Sequence, residues 1–229
     1  MATRARISRK ALHRPDEFQT IASQVLAWGQ GHRAIVLGAT AGLLGAAAVA
    51  LGLARAQSTR AEAAAIAFSS AQGSLASDNL DAAAAGFLRV AEQYPSTPFG
   101  HLAHLLRAHT LVRQAKWDEA TAAYQEYLAT SPTDHLRQEA LNGVGHAKEG
   151  SGDLAGARDA YHQAAELDGP YRRDSLLGEA RAHEATGDAQ GAAAIYQRML
   201  GEAPDIELRS FLLGKLPPGA DLAPVPALQ

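Results

Sequence analysis

Residues 152–170 read GDLAGARDAYHQAAELDGP, and the frame they set recurs three more times along the chain. A turn opens it at Gly152-Asp153-Leu154, Ala157 stands three residues further on, Tyr161 follows four residues later, and Pro170 closes it. The other turns are Asp78-Asn79-Leu80, Ala115-Lys116-Trp117 and Gly187-Asp188-Ala189. Their alanines are Ala83, Ala120 and Ala192, their aromatics Phe87, Tyr124 and Tyr196, and their prolines Pro95, Pro132 and Pro204. In chain order the four alanines are separated by 37, 37 and 35 residues. A period of this length marks a stack of similar supersecondary units.

Each feature has a physical reason. A small residue lets the second helix of a hairpin cross close to its neighbours, and an aromatic one turn later shares that face and fills the gap between units. Gly-Asp makes a tight turn, and proline ends the second helix because it cannot continue the hydrogen-bond ladder. The first helix of each unit carries its own small crossing residue at Ala71, Ala108, Gly145 and Ala180. The sequence therefore predicts an all-α fold of about four helical hairpins stacked as a solenoid.

These residues resemble the tetratricopeptide repeat over about 62–204. Two positions depart from that family's pattern: Arg107 and Glu179 stand where it usually has a buried aliphatic residue, so irregular stacking is expected in units two and four. DIELRSFLLGKL (205–216) supplies Ile206, Leu208, Phe211, Leu212 and Leu216 to cap the last unit, and the Pro-rich tail 217–229 is expected to be disordered. If the family's register carries over, the resemblance implies a partner-binding groove on the first helices. Its lining would be Phe68, Gln72, Leu105, His109, Asn142, His146, Leu177 and Arg181. This lining lacks the basic cluster by which some repeats of this type clamp a peptide's C-terminal carboxylate, which favours an extended peptide or loop.

Outward from the repeats lies Ala34 to Ala54, AIVLGATAGLLGAAAVALGLA, without a single charge. As a helix these residues reach about 31 Å, the thickness of a bilayer's hydrocarbon core. They are read as one transmembrane helix (34–54), joined by a linker (55–61) to the repeat domain with its capping helix (62–216). Within the span Gly38, Gly42, Ala46 and Ala50 recur every four residues, a ridge along which a second helix, including one from another copy of the chain, could approach.

Charge gives the span a direction. The leader before it holds six basic residues against Asp16 and Glu17, a balance of +4, whereas the chain beyond Ala56 holds 14 basic and 22 acidic residues, a balance of −8. Lys and Arg beside a span favour the cytoplasmic side, so the N-terminus stays in and the repeats cross. The acidic body argues against nucleic acid as a partner. Residues 1–33 are read as a cytoplasmic basic segment in which Pro15 opens a short amphipathic helix, lying on the membrane surface or binding a partner. A competing reading starts from Ala54-Arg55-Ala56, an A-x-A pattern of the kind signal peptidase cuts, which would release a soluble secreted module. The long leader and long apolar run argue for an uncleaved anchor.

No catalytic constellation is legible. The chain has no cysteine, which removes disulfides, thiolate nucleophiles and Cys-ligated zinc. His101, His104 and His109 share a helix, but no HExxH frame or acidic ligand cluster accompanies them, and no metal or cofactor is expected. The Gly-Asp pairs recur as turns between helices and make no phosphate loop. Function is expected in surfaces that bind proteins.

The segment 91–128, AEQYPSTPFGHLAHLLRAHTLVRQAKWDEATAAYQEYL, carries a Tyr-Pro-x-x-Pro seam from Tyr94 to Pro98. With the short leader, single span and about four repeats, it resembles the ancillary SecYEG translocon subunit (YfgM-like) family of bacterial inner membranes. It is also similar to the repeats of the Tol-Pal coordinator and of the outer-membrane assembly lipoprotein. The resemblance implies a single-pass inner-membrane protein with a periplasmic repeat domain, a scaffold that binds proteins near the SecYEG channel beside a periplasmic chaperone. A cell-envelope or division scaffold is the alternative.

Overall fold

A computed structural model of the chain describes residues 27–28, 30–202 and 205–216, so the leader helix expected at Pro15, Pro204 and the tail 217–229 lie outside the described residues. Everything regular among the described residues is helical. The helices are α1 (Arg33–Ala76), α2 (Leu80–Gln93), α3 (Pro98–Arg113), α4 (Trp117–Ala129), α5 (Asp134–Ser151), α6 (Leu154–Ala165), α7 (Arg172–Ala185), α8 (Ala189–Gly201) and α9 (Ile206–Lys215). The chain divides into two compact units, Met1–Ser58 and Thr59–Gln229.

The described part of the first unit is the apolar stretch of α1. Its best window has a mean hydropathy of 2.2 and none of that window is buried, so it is long and apolar enough to cross a membrane. Thr40, the one polar side chain of the run, returns its hydroxyl to the Val36 carbonyl at 2.7 Å. Gly38 and Gly42 have open space where a Cβ would stand. Residues 55–61, read as a linker, continue the same helix, which has no break from Arg33 to Ala76.

The second unit is a run of hairpins, with each helix packed on its chain neighbour from α2 to α9. The first helices α3, α5 and α7 also pack on one another in order. All four repeat alanines are buried, as are Phe87, Tyr124, Tyr161 and Tyr196 at 2% exposure or less. The rings need space on facing helices: a Cβ on Gly145 would lie 2.5 Å from the Tyr161 ring, and one on Gly178 2.6 Å from it. Thus the small crossing residues and the aromatics are two halves of one packing device.

The turns repeat equally closely. Asp78, Ala115, Gly152 and Gly187 stand at equivalent positions, and all four adopt a left-handed backbone, with φ of 60°, 55°, 86° and 79°. The residue after each caps the next helix. Asn79, Asp153 and Asp188 accept from the backbone N–H of Ala82, Gly156 and Gly191, whereas Lys116 gives no side-chain cap.

The two residues that depart from the repeat pattern find polar partners, and one expectation changes at the cap. Arg107 is accommodated half-buried, its guanidinium 3.4 Å from Glu126, which also meets His104 at 3.0 Å. Glu179 is buried at 5% exposure, with His162 2.9 Å from one oxygen and no partner for the other. At the C-terminal end Leu212 is fully buried, and Leu208 and Leu216 pack beside it. Ile206 and Phe211, expected to join the cap, are 84% and 49% exposed. Leu208 and Leu212, one turn apart, occupy the stripe of α9 that meets α8, and Leu216 packs beside them just past the helix end; Ile206 and Phe211 fall outside that stripe.

Candidate functional site

The face made by α3, α5 and α7 holds most of the residues singled out from the sequence. His109 on α3 lies 3.5 Å from the Glu139 carboxylate on α5, and the Tyr124 ring meets the imidazole edge-on at 5.6 Å. One helical turn along α5, Asn142 donates to the Ser175 hydroxyl on α7 at 2.9 Å. A further turn on, His146 is exposed and meets the Trp117 ring edge-on at 6.0 Å. Arg181 on α7 reaches back to Glu149 on α5 through Nε at 3.2 Å and Nη2 at 3.0 Å. Leu177 is half-buried against the C-terminal core, and Gln72 is exposed on α1.

Phe68 and Leu105 are corrected. Phe68 is 4% exposed and packs between Phe87 and Phe99, with ring centroids 5.5 and 5.4 Å away; Leu105 is 2% exposed in the central core. A large apolar side chain at the seam between stacked hairpins is drawn into the core, so these two positions line no groove. The remaining six reach the surface. The ridge of the apolar helix, Gly38, Gly42, Ala46 and Ala50, is exposed along its length.

Three polar residues absent from the sequence reading organise this face. Glu149 accepts from the Tyr161 hydroxyl at 2.7 Å as well as from Arg181. Burial pushes its carboxyl up, but the hydrogen bonds from Arg181 and Tyr161 outweigh that and hold it below the usual range. The device recurs one unit later, where Glu184 accepts from Tyr196 at 3.0 Å and from Lys215 at 3.1 Å. Burial, then the Glu184 bond, pushes the Tyr196 hydroxyl up to about 12. Gln138 is the second, fully buried, donating to the Ala164 and Leu167 carbonyls and accepting from the Tyr171 N–H. The third is Glu139, beside which the hydroxyls of Tyr124, Tyr127 and Tyr171 are each raised by burial first and by its negative charge second. A signal for Glu139 did exist, since it precedes Asn142 by three residues on the same helical face.

The described residues contain no group of three or more His, Asp or Glu side chains placed to hold a metal ion. Of the three histidines that share α3, His104 and His109 meet separate carboxylates, Glu126 and Glu139.

A model of the tetratricopeptide repeat-like domain matches residues 27–144, and a tetratricopeptide repeat model matches residues 145–205. The first match alone covers more than half of the chain and takes in the apolar helix with units one and two. The chain belongs to the tetratricopeptide repeat-like family. No curated protein matches it. Tetratricopeptide repeats are protein–protein interaction modules, and no catalytic family is indicated. In this tetratricopeptide domain the exposed polar residues of the first helices are thus candidate contacts to a partner protein or peptide.

Proposed function

We propose that the chain is a single-pass membrane scaffold of the bacterial inner membrane, with residues 1–33 in the cytoplasm, 34–54 in the bilayer and the repeats of 62–216 in the periplasm. Its first-helix face binds extended segments of other proteins through Gln72, His109, Asn142, His146, Leu177 and Arg181. The observation that carries this reading is α1: an apolar span with no burial runs without a break into the first repeat helix. An apolar helix of this length suits a membrane anchor, and the resemblance to the translocon subunit family suggests partners that work at the Sec channel. SecYEG and a membrane-bound periplasmic chaperone are the partners this placement suits.

A mature protein beginning at Gln57 by intact mass would overturn the anchor. A second reading, an envelope scaffold that self-associates, draws support from the exposed apolar side chains of Ile206 and Phe211 on α9.

The test is affinity purification from membranes in mild detergent through a C-terminal tag, followed by mass spectrometry. SecY, SecE or a membrane-bound periplasmic chaperone among the specific partners supports the translocon role. Cell-wall or division proteins in their place replace it with the envelope-scaffold role. His109→Ala combined with His146→Ala should reduce capture several-fold; unchanged capture removes the first-helix face as the contact.

A further inference from the structure

Three carboxylates between the repeats are matched by full cations, whereas the buried Glu179 meets only His162 and Glu139 stands without a full cation on the first-helix face. Glu126 has Arg107 at 3.4 Å, Glu149 has Arg181 at 3.0 Å and Glu184 has Lys215 at 3.1 Å. Glu139 has none among the described residues. Its nearest base is His109, whose Nε2 stands 3.5 Å from Oε1, beyond good hydrogen-bond length. The Glu139 side chain keeps 22% of its surface in solvent and His109 keeps 34%, so a ligand can reach both.

The surroundings suit a cation. The Tyr124 ring lies edge-on to His109, and a Cβ on Gly143, one helical turn after Glu139, would collide with that ring, so the ring lies against α5 on the carboxylate's own side. Tyr127 stands within electrostatic reach of the same carboxylate, and the Tyr171 hydroxyl donates a hydrogen bond to it, a neutral donor that leaves the negative charge without a full cation. Burial holds the His109 imidazole below its usual value against the pull of Glu139, so at neutral pH the imidazole leaves the carboxylate's charge standing. A carboxylate flanked by aromatic rings, charged and open to solvent on one side, is the complement of a lysine or arginine side chain.

We propose that the notch formed by Glu139, His109, Tyr124 and Tyr171 receives a lysine or arginine side chain of an extended partner peptide and sets the groove's preference for basic segments. The incoming cation does for Glu139 what Arg181 does for Glu149, from another molecule. This rests on the first-helix face being the binding surface. Because the chain beyond Ala56 as a whole carries −8, long-range attraction acts in the same sense.

The test selects peptides from a random short-peptide library on the full-length protein in mild detergent, then measures the best binders with lysine or arginine replaced by norleucine. Lysine or arginine should be enriched at one register, and the norleucine peptide should bind about tenfold or more weakly. Glu139→Gln should erase that difference while the norleucine peptide binds as before. Basic peptides whose binding Glu139→Gln leaves intact overturn the proposal. So do selected peptides without a basic residue, and if Asn142→Ala and His146→Ala weaken those, the groove reading survives its loss. Retention of no peptide by the wild type counts against both.

Discussion

Ala115 and Lys116 hold the one hairpin turn that has neither of the residues its siblings use. Ala115 takes φ 55° where units three and four have glycine, and Lys116 offers no capping acceptor where they have aspartate. Ala115→Gly should stabilise the domain by about 0.5–1 kcal/mol and Lys116→Asp by about 1 kcal/mol, read as a shift in urea midpoint at unchanged slope. Loss of the Lys116–Asp81 contact, exposed at 3.5 Å, subtracts little. Glu179 is the other misfit: its sibling in unit three is Val144, and its Oε2 is buried without a partner. Glu179→Val should therefore raise stability by about 1–2 kcal/mol, since His162 is left facing solvent rather than stranded. A lowered melting temperature for that variant would mean that the His162 contact outweighs the cost of burying the carboxylate.

At the scale of elements, Gln138 replaces a turn's own hydrogen bonding. It ties α5 to the end of α6 and the chain leading to α7 by three bonds, so Gln138→Ala should cost about 2–3 kcal/mol by taking the partner from the Leu167 carbonyl and the Tyr171 N–H, while the Ala164 carbonyl keeps the Leu167 N–H. Urea unfolding checks it, and a loss below about 0.5 kcal/mol would show water taking over those bonds. The repeat alanines, aromatics and turns were legible in the sequence because each hairpin demands them locally, four times in register. Gln138, Glu139 and the Tyr161–Glu149–Arg181 clasp were not, because each joins residues of different helices and none recurs in all four units. Phe68 and Leu105 were misplaced for a related reason: helical periodicity places a residue on a face, but the tilt between stacked hairpins decides whether that face is groove or core.

At the scale of the whole molecule, acid should loosen the repeats in two stages. His109, held low by burial, contributes stability that is complete above its ordinary value of 6.5 and is lost as pH falls from there through its folded value. Glu149, Glu166, Asp153 and Asp188 are all held low. Arg198 lowers Glu166, and the N–H groups of Gly156 and Gly191 lower the two aspartates. Their contribution is present above the ordinary carboxylate values of 4.5 and 3.8 and is lost as pH falls below them. Melting temperature should fall gently from pH 7 to 5 and steeply from pH 5 to 3; a flat profile over the lower interval contradicts these carboxylate contacts.

The most direct measurement is site-specific photo-crosslinking in intact membranes, with a crosslinking amino acid placed in turn at Asn142, His146 and, on the opposite helix layer, the exposed Gln163 of α6. The account predicts discrete protein adducts from Asn142 and His146 in the membrane fraction and none from Gln163. Adducts of equal yield from Gln163, or none from the first-helix positions, would contradict a membrane-held repeat domain that binds proteins through that face.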